Sequence, residues 1–381
     1  LDRIRALKPD LLLSVSASPY EWGKRPRREA IHCSIAQEIG IPLFYVNQIG
    51  ANDELLFDGG SFVSDSKGNL VSRLQLFVED FGSYDASQLS SLTPPVAPAE
   101  IDVLRRGLVR GIRDYFGRTG FNKAILGLSG GIDSAVVAAL AVEALGSQNV
   151  LGVAMSSQYS SSGSLADAEA LARNLGIRME VRPIKFLFST AAREISGGTF
   201  NLEGVASENL QSRLRGMILM TLSNALGALV LTTGNKSEIA TGYATLYGDM
   251  CGALAPIGDL FKTRVYELAR HINSQKLLIP ESSITKAPSA ELRPDQKDQD
   301  TLPPYDCLDA LLEGYLEQGL SLEQLESSLG SRHVAGWVRQ TLESVERQEF
   351  KRRQAAPVLK VSPKAFGMGR RMPVAKRWQL K

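Results

Sequence analysis

The feature that most constrains the fold is a turn of small residues between an apolar segment and a segment rich in alanine and valine. Residues 124–128 predict a buried strand, and residues 135–145 predict a helix. The turn between them reads Ser129-Gly130-Gly131-Ile132-Asp133-Ser134. Such a turn directs backbone N–H groups into one hollow at the helix N-terminus, where the helix dipole adds partial positive charge. We therefore expect a phosphate chain to bind there.

Two alternatives apply to this turn. The first is a loop that holds a γ-phosphate for transfer, but such loops have the GxxxxGK[ST] pattern, and here no lysine follows the glycines. The other alternative is a glycine-rich turn without a ligand. Both serines and the aspartate stand where a ligand would use them, so we favour a bound phosphate chain.

The segments after the turn predict an α/β fold with a doubly wound parallel sheet. Strands are predicted at 124–128, 150–155, 179–184 and 228–232, and helical segments alternate with them. Sheets of this kind bind ligands beyond the carboxyl ends of their strands. Thr232-Thr233-Gly234 also follows a strand, so we expect it at the same edge as the serine-glycine turn. Residues 305–354 predict helices, and the polar segment 281–304 predicts a loop over the site.

The N-terminal part predicts a separate mixed α/β block. Helices are predicted at 1–7 and 27–39, a buried strand at 10–15, and further strands at 41–46 and 61–63. Residues 87–98, rich in serine and proline, predict an exposed linker. The predicted domains are therefore 1–86 and 99–381, joined by that linker. Because the chain opens on Leu1 with a helix and a strand, we expect it to begin inside a domain.

Composition argues against several classes of protein. The 381 residues carry a formal net charge of +2, which does not indicate a nucleic-acid partner. The three cysteines, Cys33, Cys251 and Cys307, form no CxxC pair, so they indicate neither a disulfide framework nor a zinc site and favour a cytoplasmic location. No run of about 18 apolar residues predicts a membrane span.

Further motifs follow the turn in a fixed order. They are Glu208-Asn209-Leu210-Gln211-Ser212-Arg213-Leu214-Arg215-Gly216, Thr233-Gly234-Asn235-Lys236-Ser237-Glu238, Tyr247-Gly248-Asp249 and Lys286-Ala287-Pro288-Ser289-Ala290-Glu291-Leu292. The turn resembles the pyrophosphate loop of the ATP-pyrophosphatase superfamily, and the order of the motifs resembles the NAD synthetases within it. A thiolating relative would carry paired cysteines. The resemblance covers about 99–381 and implies an adenine nucleotide α-hydrolase-like sheet.

The N-terminal block resembles the end of the nitrilase-like glutaminase domain of glutamine-dependent NAD synthetases. Its marker is Ser16-Ala17-Ser18-Pro19 followed by Gly23-Lys24. The resemblance implies a partial αββα sandwich in which Ser18 and Lys24 bind glutamine. The Glu-Lys-Cys triad of that domain is expected upstream of Leu1, so we expect no catalytic residue of the triad within this chain. Cys33 lies on a predicted helix and is expected to be a buried structural thiol.

The resemblance implies the conversion of nicotinic acid adenine dinucleotide (deamido-NAD) to NAD. Ammonia does not attack a carboxylate, so ATP must first activate the carboxylate as an acyl-adenylate, with release of pyrophosphate. Ammonia then displaces AMP from the acyl-adenylate. Such chemistry depends on positioning and charge neutralisation and needs no protein nucleophile. The implied partners are ATP, deamido-NAD and glutamine or ammonia, with Mg²⁺ as the metal. The family also implies a homo-oligomer.

The resemblance also assigns residues to each ligand. The implied ATP-binding residues are Gly127, Leu128, Ser129, Gly130, Gly131, Ile132, Asp133, Ser134, Thr233, Lys262 and Ser289. The implied deamido-NAD contacts are Asn209, Glu238 and Lys351, and Asp133 and Glu238 would bind Mg²⁺. Gln211, Arg213 and Arg215 lie on or near the Asn209 helix, with Asn209 and Arg213 on one face.

Structural alternatives exist for several of these residues. Thr233 and Glu238 could be a helix cap with a first-turn carboxylate. Lys262 and Arg215 could be surface residues of helices, and Lys351 could be a cation that stabilises the C-terminal end of a helix. For the whole chain, the alternatives are another ATP-pyrophosphatase amidotransferase, such as a GMP synthetase, and a catalytically silent nucleotide-binding subunit.

Overall fold

The computed structural model describes residues 1–375, with the exception of the Ala86 side chain. The chain forms two compact units, and the boundary between them falls after Tyr115. Each unit has its own sheet and its own apolar cluster. Among the described helices, none is long and apolar enough to cross a membrane. The domain boundaries at 86 and 99, which were drawn from the composition of residues 87–98, stay predictions.

The first unit is a mixed α/β structure. Its strands are β1 (Leu12–Ser16), β2 (Leu43–Asn47), β3 (Ile49–Asn52), β4 (Leu55–Asp58), β5 (Phe62–Ser64) and β6 (Leu70–Arg73). The helices that begin in this unit are α1 (Asp2–Leu7), α2 (Lys24–Ile39) and α3 (Glu100–Thr119). One sheet has the order β1-β2-β5-β6, with β1 parallel to β2 and the other pairs antiparallel. Strands β3 and β4 form a separate antiparallel pair.

The prediction that the first strand is buried is wrong. In β1, Leu13 is 68% exposed and Val15 is 81% exposed. Successive side chains of a strand point to opposite faces, so only one set can face a covering helix. Leu12 belongs to the covered set and packs with Ile35 and Ala36 of α2.

The predicted exposed linker is also wrong in its first half. Residues Ala86–Ser91 form a 3-10 helix, and Leu89 is buried against Val63 and Val71. A single apolar side chain therefore attaches this half to the sheet. Residues 92–98 have no regular structure and are mostly exposed, as predicted.

The doubly wound parallel sheet is confirmed in the second unit. Its strands are β7 (Ala124–Gly127), β8 (Val150–Ala154), β9 (Arg178–Val181) and β10 (Leu229–Val230). All are parallel, in the order β10-β7-β8-β9. Each strand begins within one residue of its predicted start and ends within three residues of its predicted end.

Helices complete the second unit. They are α4 (Ile132–Leu145), α5 (Ser162–Leu175), α6 (Lys185–Ser196), α7 (Gly204–Leu226), α8 (Lys236–Thr241), α9 (Lys262–Gln275), α10 (Glu281–Thr285), α11 (Tyr305–Leu312), α12 (Leu322–Leu329), α13 (Trp337–Arg347) and α14 (Glu349–Arg352). A π-helical turn, Glu313–Gln318, continues α11. The helical prediction for residues 305–354 is therefore confirmed.

The order of the strands locates a ligand site. The chain passes from β7 through β8 to β9 and then crosses back to β10, which pairs with the other side of β7. The strand order therefore reverses between β7 and β10, and α/β sheets bind ligands at the carboxyl ends of strands beside such a reversal.

The segment 281–304 is more ordered than a polar loop. It begins with α10, in which Ser283 and Ile284 are buried. The Ser283 hydroxyl donates to the Gly130 carbonyl at 2.9 Å, which attaches α10 to the serine-glycine turn. This contact could not be predicted from the polar composition of the segment, because Gly130 lies 153 residues before Ser283 in the sequence.

Candidate active site

A cavity of about 310 Å³ lies at the carboxyl ends of β7, β8 and β10. Its wall includes the serine-glycine turn after β7, residues 154–156 after β8, and residues 231–234 after β10. Helices α7 and α8 and residues 286–292 supply further parts of the wall. The cavity thus occupies the position that the strand order predicts.

Nearly all predicted ATP-binding residues line this cavity. Those on the wall are Gly127, Leu128, Ser129, Gly131, Ile132, Asp133, Ser134, Thr233, Lys262 and Ser289. Gly130 is buried next to the wall and has a φ of +75°. A Cβ atom at this position would overlap the Ser164 carbonyl oxygen. Only glycine fits both the backbone conformation and the space at residue 130.

Hydrogen bonds within the turn fix its shape. Ser129 Oγ accepts the Gly131 N–H at 3.1 Å, and the Ser134 hydroxyl donates to the Gly131 carbonyl at 3.0 Å. Gly131 is the N-cap of α4 and has no side chain that could accept from the first N–H groups of the helix. The start of α4 therefore offers N–H donors and the positive end of its dipole to an anion.

A buried lysine and two carboxylates stand beside the turn. Lys262, the first residue of α9, is 2% exposed. Its ammonium group forms an ion pair with Asp133 and lies 3.6 Å from Glu238 Oε1. Asn235 Nδ2 donates to the other Asp133 oxygen at 3.1 Å. The fold thus assembles one charged cluster from the starts of α4, α8 and α9, and the surface alternative for Lys262 is wrong.

Glu238 has a structural role as well. Asn235 Oδ1 accepts the Glu238 N–H at 3.1 Å, and Glu238 Oε2 accepts the Asn235 N–H at 3.2 Å, which is a capping box at the start of α8. The cap is Asn235, whereas the helix-cap alternative placed it at Thr233. Because Glu238 Oε1 faces Lys262, the same side chain both caps α8 and contributes charge to the cavity.

Burial and neighbouring charges shift the protonation of this cluster. Burial raises the pKa of Glu238, and repulsion from Asp133 adds to the rise. Burial acts to lower the pKa of Lys262, but attraction by Asp133 and Glu238 outweighs it and raises that pKa above its usual range. Lys262 is therefore a firmly charged ammonium group that faces the cavity.

The two carboxylates of the cluster have the chemistry of magnesium ligands. Asp133 and Glu238 supply the hard oxygen ligands that Mg²⁺ prefers. Within residues 1–375, no group of three or more His, Cys, Asp or Glu side chains is placed to hold a metal ion. Mg²⁺ commonly takes one or two carboxylates and completes its shell with phosphate oxygens and water, so two carboxylates suffice.

The predicted deamido-NAD contacts Asn209 and Lys351 do not line this cavity. Both instead bind the loop formed by residues 242–249. Asn209 Oδ1 accepts the Thr245 hydroxyl at 2.7 Å, and Lys351 Nζ donates to two carbonyls of the loop at 2.7 and 2.9 Å. The end of this loop lines the cavity. A direct contact of either residue with the dinucleotide stays a prediction.

Arg215 lines the cavity, so the surface-helix alternative for this residue is wrong. Its Nε donates to the Met155 carbonyl at 3.0 Å. Burial lowers the pKa of Arg215 to about 10, and the charges of Glu291 and Asp249 oppose that shift. The guanidinium group is therefore still charged at neutral pH.

Gln211 and Arg213, the other two residues that the sequence placed near Asn209 on α7, bind backbone groups. Gln211 Nε2 donates to the Leu292 carbonyl at 2.9 Å, and Arg213 Nε donates to the Leu246 carbonyl at 3.2 Å. Both contacts attach loops to α7.

Residues 104–355, which include this cavity, match the family described as NAD synthase. The chain belongs to the NAD synthase family. The glutamine-dependent NAD(+) synthetase of Synechocystis sp. is 49% identical over 379 residues, which are 96% of this chain and 66% of that protein. The enzyme of that name from Thermotoga maritima is 42% identical over 97% of this chain and 70% of its own length. The chain spans about two thirds of the length of these curated relatives.

Solved structures of NAD synthetases are similar as well. A glutamine-dependent NAD+ synthetase from Acinetobacter baumannii, in complex with ADP, is 37% identical and has a TM-score of 0.72. That comparison covers 100% of this chain and 70% of the other. An NH3-dependent NAD synthetase from Campylobacter jejuni is 26% identical with a TM-score of 0.52, over 67% of this chain and 96% of that one. These similarities agree with the adenine nucleotide α-hydrolase-like fold that the motifs implied.

The first unit of this NAD synthase family member holds the two predicted glutamine contacts: Ser18 lies on the loop between β1 and α2, and Lys24 is the first residue of α2. The Ser18 N–H donates to Asn47 Oδ1 at 2.8 Å, and Lys24 Nζ donates to the Pro19 carbonyl at 2.8 Å. Cys33, on α2, is half-buried and not fully buried as expected, and partial burial raises the pKa of its thiol. A raised pKa disfavours the thiolate that a nucleophile needs, which agrees with the exclusion of Cys33 as the nucleophile.

Asn235 and Asp298 are among the residues of the cavity region that sequence reasoning missed in this NAD synthase family member. Asn235, which binds Asp133, stands three residues before Glu238, and that capping-box spacing was available in the sequence. Asp298 lines the cavity and accepts the Tyr305 hydroxyl at 2.9 Å. It lies among several aspartates of the segment 281–304, and nothing in the pattern distinguishes it from them.

Proposed function

We propose that this chain catalyses the ATP-dependent amidation of nicotinic acid adenine dinucleotide to NAD. The observation that carries the proposal is the placement of Lys262, Asp133 and Glu238 beside the start of α4, in a chain of the NAD synthase family. The family match decides against the GMP synthetase alternative. The intact charged cluster argues against a silent nucleotide-binding subunit.

In the proposed reaction, a carboxylate oxygen of the dinucleotide attacks the α-phosphorus of ATP, and the bond from that phosphorus to the bridging oxygen of pyrophosphate breaks. Ammonia then attacks the carbonyl carbon of the acyl-adenylate. The bond from that carbon to the AMP oxygen breaks, and the nitrogen loses a proton to give the amide. Each step needs a positioned substrate and a stabilised leaving group.

The described residues fit these needs. The N–H groups at the start of α4 and the Lys262 ammonium would stabilise the negative charge of the leaving pyrophosphate. Asp133 and Glu238 would hold Mg²⁺, which neutralises phosphate charge when bound. Thr233 and Ser289 lie on the wall of the same cavity and would contact ATP.

The test is to incubate the purified chain with ATP, Mg²⁺, ammonium and the acid dinucleotide. We expect NAD, AMP and pyrophosphate in equal amounts, and no product when xanthosine monophosphate replaces the dinucleotide. The same assay on Asp133→Ala separates the enzyme from a silent subunit, because the variant should lose turnover. The absence of NAD, or formation of ADP and phosphate, would contradict the proposal.

The ammonia donor in the proposed whole protein is glutamine. The names of the relatives and the positions of Ser18 and Lys24 support this donor. Because the catalytic triad is expected upstream of Leu1, the 381-residue chain should release no glutamate from glutamine. A robust glutaminase rate from the purified chain would refute this expectation.

The substrates and the unpaired cysteines favour a cytoplasmic location.

A homo-oligomer is part of the same proposal. Helices α6 and α7 carry exposed apolar side chains, among them Phe186 and Ile195 on α6 and Val205 and Met217 on α7. Exposed apolar patches commonly mark contacts between proteins, and a second copy of this chain is the occupant that the family resemblance implies. Light scattering should give a mass at least twice 41.4 kDa, and a monomer at micromolar concentration would contradict the assembly.

A further inference from the structure

We propose that Asp309 is a positioning residue that fixes Lys262 in the cavity by capping helix α9 from a different helix. The inference rests on the proposed function, because it concerns how the ATP-facing lysine is held. Asp309 lies on α11, is 4% exposed and does not line the cavity. Any effect of Asp309 on ATP must therefore pass through other residues.

Helix α9 needs such a cap because its own N-cap residue cannot provide one. The N-cap is Phe261, and no side-chain hydrogen bond is made from it. Lys262 and Thr263 are the first residues of the helix, so their N–H groups have no acceptor within α9. Lys262 is buried, so without an external acceptor its backbone N–H would lose its hydrogen bond to water and gain none; Thr263 is exposed.

Two side chains from other helices supply the acceptors. Ser237 Oγ, on α8, accepts the Lys262 N–H at 3.0 Å, and Asp309 Oδ2 accepts the Thr263 N–H at 2.8 Å. The Ser237 hydroxyl in turn donates to Asp309 Oδ1 at 2.5 Å. A carboxylate at a helix N-terminus is also stabilised by the helix dipole. Asp309 therefore holds the first turn of α9 both directly and through Ser237.

This arrangement controls the position of the ammonium group. Lys262 begins α9, and its side chain reaches Asp133 at the start of α4, whereas its backbone N–H is bound by Ser237 at the start of α8. Asp309 thus joins the two helix starts that carry Lys262 and Glu238. A shift of the first turn of α9 would move the ammonium group relative to both carboxylates and to a bound phosphate.

The test uses Asp309→Asn, which keeps the shape of the side chain but has only one acceptor oxygen. The Ser237 hydroxyl and the Thr263 N–H, which each donate to one oxygen of Asp309, would have to share it. We expect the Kd of Mg·ATP, measured by calorimetry without the dinucleotide, to rise about tenfold, as is typical when a group that orients a ligand-binding residue is removed. The KM for ATP should rise by the same factor. Ser237→Ala should have a similar effect, and the double variant should be no worse than the more severe single variant, because both act on the same turn.

Glu346→Gln is the matched control. Glu346 is a buried carboxylate of α13 that accepts the Tyr315 hydroxyl at 2.8 Å and pairs with Arg370, away from the cavity wall. This variant should lower the melting temperature without changing the KM for ATP or the Kd of Mg·ATP.

The outcomes separate this inference from the proposed function. If the parent chain makes NAD and Asp309→Asn leaves the Kd of Mg·ATP, the KM for ATP and the kcat per folded molecule unchanged, the positioning role is wrong, even when the melting temperature falls. If the parent chain makes no NAD, the proposed function fails, and the Kd comparison alone decides whether Asp309 positions Lys262.

Discussion

Two buried lysines of the described chain lie close together in the fold but have different surroundings. Lys236 is fully buried at the start of α8, and its Nζ lies 3.0 Å from Asp259 Oδ1, 2.6 Å from Glu317 Oε1 and 2.6 Å from Ser362 Oγ. Two hydrogen bonds, to Glu317 and Ser362, and the ion pair with Asp259 therefore surround this ammonium group with oxygens.

Lys262 is buried to nearly the same extent, but its contacts are incomplete. One carboxylate, Asp133, is within hydrogen-bonding distance, and Glu238 Oε1 is 3.6 Å away. The side chain also lines the cavity, whereas Lys236 does not. A lysine whose ammonium group is enclosed by protein oxygens serves stability, and a lysine whose ammonium group faces a cavity can bind a phosphate. The difference between these lysines separates a structural ion cluster from a functional one.

The largest effect should follow from Lys262→Met. This change removes the ammonium group that faces the cavity, and we expect kcat/KM for ATP to fall about 10²- to 10³-fold, as for the loss of a group that stabilises developing charge. The rate of NAD formation under saturating ammonium measures it. A variant with the parent rate would show that Lys262, like Lys236, is only structural.

The next effect should follow from Lys236→Met and should appear in stability. The change leaves Asp259 and Glu317 without their cation, and loss of one partner of a buried ion pair costs about 3 kcal/mol or more. Urea unfolding should show this decrease in the free energy of unfolding. Folded molecules should keep the parent KM for ATP, and a raised KM would mean that the two clusters act as one.

The smallest effect should follow from Asn235→Ala. Asn235 caps α8 and donates to Asp133, and loss of such a cap costs about 1 kcal/mol of stability. Because Asp133 keeps its ion pair with Lys262, we expect the KM for ATP to rise less than in Asp309→Asn. A loss of stability as large as that of Lys236→Met would show that the cap and the buried cluster are coupled.

Local sequence patterns predicted the parts of the fold that depend on neighbours in the chain. The turn at Ser129 to Ser134 and the strand before it were recognised because the turn chemistry and the apolar run are adjacent. The order of parallel strands then placed Thr233 at the same edge of the sheet, and the structure confirms that both line one cavity.

Contacts between distant segments could not be predicted in this way. The ion pair of Asp133 and Lys262 joins residues 129 positions apart, and only the family resemblance brought them together beforehand. Asp309 gives no signal in the sequence, because its role depends on the packing of α11 against the starts of α8 and α9. The burial of Leu89 was missed for a different reason: one apolar side chain in a serine-rich segment does not form a pattern that predicts burial.

In the proposed reaction, the cavity couples ATP to the carboxylate of the dinucleotide through an adenylate. Exchange of labelled pyrophosphate into ATP, measured without ammonium, tests it most directly. We expect exchange by the parent chain only when the acid dinucleotide is present, and a large loss of exchange in Lys262→Met. Exchange without the dinucleotide, or no exchange by a chain that does form NAD, would contradict the claim.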